Sequence, residues 1–279
     1  MKKSALLALL FSALLGAESS AESNPQVSPP SAEMPLAASA DAGSETVSEA
    51  VAEVEVSSTK NPDWKRYRVM LKGLDAFDRH HALAPQAEQK FILKPRKAEV
   101  SIKGVVLRLA SDDSSRPIAL AEDGTFALPR DAQAAQADAE LMINRKKELF
   151  RWWPYIRSPQ LAANQRRLGD LRLECEMFWA IYYDDLPFLA RNFVRTLGGP
   201  CTSKNVSLSF PADFSGLRSA TLRQGARSQV LVLEPNQAGF SAPLYDQSLS
   251  DDAIIELEYD DNLAVKKTNY SGLSVGISF

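Results

Sequence analysis

The sequence predicts an α+β fold dominated by β structure: β-sandwich-like strands with an N-terminal helix and a second helix near residues 186–197. Three observations carry this expectation. Short apolar or alternating runs recur between turn residues from Phe91 to Ile156 and again from Val206 to Tyr259, the pattern of an all-β sandwich. Two segments instead repeat apolar residues at three- and four-residue spacing, as one face of a helix does. Both of those segments stop at helix-ending signals, Pro85 for the first and the Gly198-Gly199 pair for the second.

The chain opens with Lys2 and Lys3, a Leu- and Ala-rich run from Ala5 to Gly16, and small residues at Ser19 and Ala21. This three-part layout predicts a secretory signal peptide over residues 1–21, with cleavage after Ala21. The run is shorter than the roughly 20 residues that span a bilayer, and no later stretch is apolar enough for a transmembrane helix. Residues 22–61 follow as a disordered acidic linker. From Glu22 to Glu55 they carry seven acidic residues, no basic one and no aromatic one, so they bury too little apolar area to offset the entropy of ordering. The folded part then divides, by expectation, into a helix plus β-sandwich-like region over 62–164 and an α+β region with a disulfide over 165–279. The polar stretch QLAANQRRLGD marks the boundary, and whether these make one unit or two is open.

Within the first region, Trp64, Tyr67, Met70, Leu71, Leu74 and Phe77 share a helical stripe, with Asp63 placed as its N-cap. Gly73 inside the stripe costs about 1 kcal/mol relative to Ala. Strands are expected at Phe91–Leu93 and from Val100. PIALAEDGTFALP reads as a hairpin turning at Gly124, and AELMINRKKELFRWWPYI as another with NRKK at its tip. In the second region LRLECEMFWAIYY reads as a strand, although Leu173, Met177, Ala180 and Ile181 would also line a helix. Asp185, Pro187 and the stripe Leu186, Leu189, Ala190, Phe193, Val194, Leu197 predict the second helix, capped by Asp185. VSLSF, SATLRQGARSQVLVL with a turn at Gln224-Gly225, and AIIELEY complete the strands.

The two cysteines, Cys175 and Cys201, lie in the part of the chain expected to be exported, where disulfides persist. A bridge between them is the simplest use of both. Residues 61–279 carry 29 Lys and Arg against 27 Asp and Glu, a near-neutral balance that gives no electrostatic footprint for nucleic acid.

Each chemical motif meets a competing structural explanation. Gly272-Leu273-Ser274-Val275-Gly276 matches the G-x-S-x-G elbow of α/β-hydrolases, but the acid and the histidine that should follow it are missing. His80 and His81, the only histidines, are adjacent on a helix and point about 100° apart, and no zinc motif accompanies them. Glu256 and Glu258 share one face of an expected strand, opposite Ile255, Leu257 and Tyr259, which is the layout of a solvated strand face. The sequence therefore calls for no metal and no cofactor, and a non-enzymatic role is favoured. Trp152, Trp153 and Tyr155 are the ligand-binding candidates: adjacent Trp residues on a strand point to opposite sides, so one is exposed to a ligand unless both faces are covered.

These readings converge on an exported, soluble, periplasmic or secreted protein with a binding or structural role in the cell envelope and a protein or carbohydrate partner. Two alternatives are weighed against it. One is an exported hydrolase using Ser274 or a carboxylate pair such as Glu256 and Glu258. The other is an outer-membrane-associated component, because Leu273, Val275, Ile277 and Phe279 alternate with small residues as a C-terminal barrel strand does. A barrel needs at least eight strands of about ten alternating residues, and the helix near residue 190 interrupts the space for them.

Overall fold

The computed structural model describes residues 61–263 except 98, 236 and 261, together with the backbone of Leu273–Ser274. All belong to the compact unit that runs from Val54 to Phe279. In chain order the elements are β1 (Pro62–Arg66), α1 (Tyr67–His80), β2 (Lys90–Pro95), β3 (Leu107–Ala110), β4 (Ser115–Ile118), β5 (Thr125–Phe126) and α2 (Ala132–Gln136). Next come β6 (Glu140–Lys146), β7 (Phe150–Tyr155), β8 (Gln165–Arg167), α3 (Leu168–Tyr182) and α4 (Phe188–Thr196). The chain continues through β9 (Ser207–Pro211), β10 (Leu217–Gln224), β11 (Arg227–Val230), β12 (Val232–Leu233), β13 (Gly239–Ser241), β14 (Ile254–Tyr259) and β15 (Leu273–Ser274). The strands form small antiparallel sheets in the orders β1-β6-β3-β4, β5-β2-β7, β11-β10-β14-β8 and β12-β13-β9-β15. The architecture is α+β and β-dominated, as the periodicities predict.

Two hydrophobic clusters fill it, and α3 serves both. Leu173, Met177 and Ile181 enter the first with α1, β3, β6 and Phe91. Leu168, Leu171, Cys175 and Phe178 enter the second with β9, β10 and β14. A helix buried on nearly every side has no polar face to reveal its period, which is why LRLECEMFWAIYY reads as a strand in sequence and folds as a helix. Two glycines make the close packing possible. A Cβ on Gly73 would sit 2.6 Å from Ile181, so the residue that weakens α1 in isolation is where α3 crosses it. A Cβ on Gly169 would collide with the carbonyl of Leu83, so the start of α3 can approach the turn after α1 only with glycine there.

Other expectations need correction. Asp63 does not cap α1: it lies in β1, the helix starts four residues later, and its N-cap, Arg66, makes no side-chain capping bond. Burial pushes the Asp63 carboxyl pKa up, with the Trp152 indole and Lys65 pulling part of the way back. Of the stretch from Val100, only Leu107–Ala110 is strand. Both expected hairpins keep their turns and lose their pairing. Gly124 takes φ +86°, but its carbonyl accepts from Leu93 N–H, β5 joins β2 and β4 joins β3. Likewise β6 lies between β1 and β3 while β7 pairs with β2, on the two sides of a turn in which Glu148 has φ 70°. The hairpin at Gln224-Gly225 forms as expected, pairing Gln224 with Arg227.

Candidate functional site

Trp152 and Trp153 point to opposite sides of β7, as strand geometry requires, and both sides are covered. Trp152 packs edge-on against Phe126 in the first cluster, and Trp153 lies 4.6 Å from Phe178 in the second. The exposed indole expected from the sequence is therefore absent, and neither ring offers a face to a ligand. Tyr155 is partly exposed, and its ring lies under the Arg157 guanidinium at 4.3 Å.

Around that arginine the fold assembles a junction of charges that lies far apart in sequence. Glu174, from the middle of α3, accepts from Arg166 on β8 at 2.8 Å, from Arg157 at 3.0 Å, from the Ile156 N–H at 2.8 Å and from the Trp153 indole N–H at 3.3 Å. Asp213, just after β9, accepts from Arg157 at 2.6 Å and from Lys94 on β2 at 3.4 Å. Lys94 also donates to the Ala212 carbonyl at 2.6 Å. Three cations and two carboxylates thus tie α3 to strands of three separate sheets. Glu174 and Arg166 are fully buried, whereas Lys94, Arg157 and Asp213 form the partly exposed rim. Close by, Asp170 in the first turn of α3 accepts from the Ser158 N–H and hydroxyl. Arg172 donates to the carbonyls of Leu244, Asp246 and Leu249, fastening that loop to the helix.

The electrostatics follow from this crowding. Burial drives Lys94 below its ordinary pKa, an effect that Asp213 only partly offsets. Burial opposes the charge of Arg166, but Glu174, Asp213 and Asp170 raise its pKa overall. Burial likewise opposes ionisation of Asp213, yet Arg157, Arg166 and Lys94 outweigh it and hold the carboxyl at about 2, against an ordinary value of 3.8. Because the folded pKa is depressed, the stabilisation from Asp213 is complete above the unfolded value and is lost as pH falls through the folded one. The stability gap between wild type and Asp213→Asn should therefore narrow by about 2 kcal/mol as the medium is acidified from about pH 5 to about pH 2. Urea unfolding of both proteins across that range measures it, and a gap that stays constant with pH would refute the assignment. Chemically, the junction is suited to fixing geometry: the Glu174 carboxylate accepts from Arg166, Arg157, Ile156 and Trp153 at once.

The other sequence candidates lie elsewhere. His80 is 3.8 Å from Glu176, and His81 packs on Phe77 at 4.6 Å. Among the described residues no cluster of three or more His, Cys, Asp or Glu is placed to hold a metal ion, and no helix is long and apolar enough to cross a membrane. Glu256 and Glu258 do share the outer face of β14, bonded to Arg223 and Ser219, while Ile255 and Leu257 are buried. Ser274 lies on β15, which pairs with β9; its side chain and residues 275–279 lie outside the described residues, as do residues 1–60, on which the expected signal peptide and nearly all of the expected acidic linker fall. Cys175 and Cys201 form the disulfide, which ties the middle of α3 to the segment just beyond α4.

The helix expected near residues 186–197 forms as α4, with a different cap and a different burial. It spans Phe188–Thr196, its N-cap is Pro187, and Asp185 pairs with Lys65 instead of capping it. Of its apolar stripe only Val194 is buried. Phe188, Leu189 and Phe193 are 66%, 80% and 48% exposed.

The junction residues had one signal in sequence. Glu174 sits with Arg172 and Glu176 inside a largely apolar run, and a charge buried in such a run must be paired. Nothing local in PADFSG marks Asp213, whose role comes entirely from tertiary placement. Comparison with family models, with curated proteins and with solved structures finds no match to this chain, so its functional reading rests on its own residues.

Proposed function

We propose that this chain is exported to an oxidising compartment and serves there, in the periplasm or outside the cell, as a β-rich binding or structural component of the cell envelope. The observation that carries the reading is the Cys175–Cys201 disulfide. It uses both cysteines of the chain, and such bonds persist in secreted and periplasmic proteins while cytosolic thiols are kept reduced. The basic and apolar opening of the sequence, with small residues before Glu22, supports the same compartment. A binding or scaffolding role fits a fold whose internal charges are spent on holding elements together. Its exposed apolar side chains on α4 suit contact with something else.

The test is cell fractionation followed by N-terminal sequencing and a non-reducing peptide map. The expected outcome is a chain in the exported fraction that begins at Glu22 and yields one cross-linked Cys175–Cys201 peptide. A chain that begins at Met1, sits in the cytosolic fraction and carries two free thiols would overturn the proposal.

A further inference from the structure

We propose that α4 and its surroundings form a docking surface for an anionic lipid bilayer, with the helix lying flat in the headgroup region. Phe188, Leu189 and Phe193 are the exposed large apolar side chains that lie on a helix among the described residues. The surrounding charges select the partner. Asp184 is shared by Lys72 and Arg191, Asp185 is held by Lys65, and Arg195 is exposed on the helix itself. Four cations against two carboxylates give this group a positive balance, with Arg191 and Arg195 on the helix itself. An apolar face bordered by Arg and Lys is the makeup of an interfacial helix, and an anionic leaflet attracts each excess cation. Aromatic residues of the interfacial type stand beside it: Trp179 and Tyr183, both partly exposed, meet edge-on at 5.1 Å, and Arg191 lies over both Tyr183 and Phe188.

The mounting is rigid. The backbone leaves α4 through Gly198 and Gly199 at φ +94° and +80°, and two residues later Cys201 is bonded to Cys175 on α3. The segment beyond the C-terminal end of the helix is therefore pinned to α3, and ion pairs of Asp184 and Asp185 tie down the approach to its N-terminal end. A second copy of the chain is a poorer occupant. Nine helical residues make a strip about 13 Å long and about 10 Å wide, an area on the order of 130 Å² against the roughly 800 Å² per partner of a stable interface, and a two-fold contact would set like charges against each other. A bilayer needs no matching shape and supplies the opposite charge.

The inference rests on the envelope reading for its setting, but its test reads lipid binding alone, so failure here leaves the export assay untouched. The probe is flotation of the chain from Glu22 onward, which keeps the whole compact unit, with vesicles of phosphatidylcholine alone or mixed with phosphatidylglycerol. Wild type should float with the mixed vesicles, at least about tenfold more strongly than with phosphatidylcholine, and high salt should release it. Leu189→Glu with Phe193→Glu, both at exposed positions, should weaken flotation by about tenfold or more while leaving the melting curve unchanged. A blue shift of tryptophan emission on mixed vesicles should appear in wild type and shrink in Trp179→Phe. Flotation that is absent, or that the double substitution leaves intact, overturns the proposal. So does a dimer in sedimentation equilibrium that the double substitution dissolves without any vesicle binding, which would assign the face to a second copy.

Discussion

Replacing Glu174 by alanine is expected to lower the stability of the folded unit by about 3–5 kcal/mol, the cost of leaving a buried charge without its partner. Four donors lose a shared acceptor at once: the guanidinium groups of Arg166 and Arg157, the Ile156 N–H and the Trp153 indole; Arg157 keeps its bond to Asp213, and Arg166 keeps only the more distant Asp213 carboxylate at 4.0 Å. Arg166 has no route to water, because it is as deeply buried as the carboxylate it faces. The two changes should not add. Arg166→Met alone leaves Glu174 with Arg157 as its remaining ion-pair partner, whereas Arg166→Met combined with Glu174→Leu removes both buried charges and should recover a large part of the loss seen in Glu174→Ala. Urea unfolding of the two single variants and the double variant closes the cycle. A loss below about 1 kcal/mol for Glu174→Ala would mean that water reaches the junction and that the charges are solvated as surface pairs are.

Removing the disulfide should cost nearly as much by a different mechanism. Cys175 and Cys201 are separated by 26 residues, and in the chain-entropy model closing a loop of that size is worth about 3.5 kcal/mol. Cys175→Ser with Cys201→Ser should therefore melt well below wild type. Reductant should bring wild type down towards the variant and leave the variant itself unmoved. The local consequence is as specific as the global one: amide protons of α4 should exchange earlier than those of α3 in the variant, because Val194 is the only α4 side chain buried to hold the helix down. Equal stability with and without the bridge would show that the loop is already constrained by packing in the unfolded ensemble.

What could be read from the sequence was whatever depends on neighbours along the chain. The stripe of α1, the turn at Gly225 and the two-sided character of β14 are local patterns, and each survives folding. The cysteine pair was legible because only one intramolecular bridge is available to two cysteines. The failures share a cause of the opposite kind. A turn such as Glu122-Asp123-Gly124 states that the chain reverses but not which strand each arm will join, and here Gly124 is bonded to β2. The character of α3 was concealed because two cores, built from residues up to about a hundred positions away, bury both sides of it. The same covering hides both indoles of β7. Asp213 and Lys94, 119 residues apart, carry no trace of each other in the sequence.

The sharing of α3 between two cores also bears on the order in which the chain can complete itself as it emerges from a ribosome or a translocation channel, N-terminus first. The sheets built from β1 to β7 carry most of the first core, but that core is closed by Leu173, Met177 and Ile181. Until those residues arrive, the sheets that precede them lack part of their interior. Once α3 has formed, it presents its other side as the foundation for β9, β10 and β14, and Cys175 waits in place for Cys201. One helix thus sets the moment at which the early half of the chain can become solid, and it offers the late half a surface on which to begin.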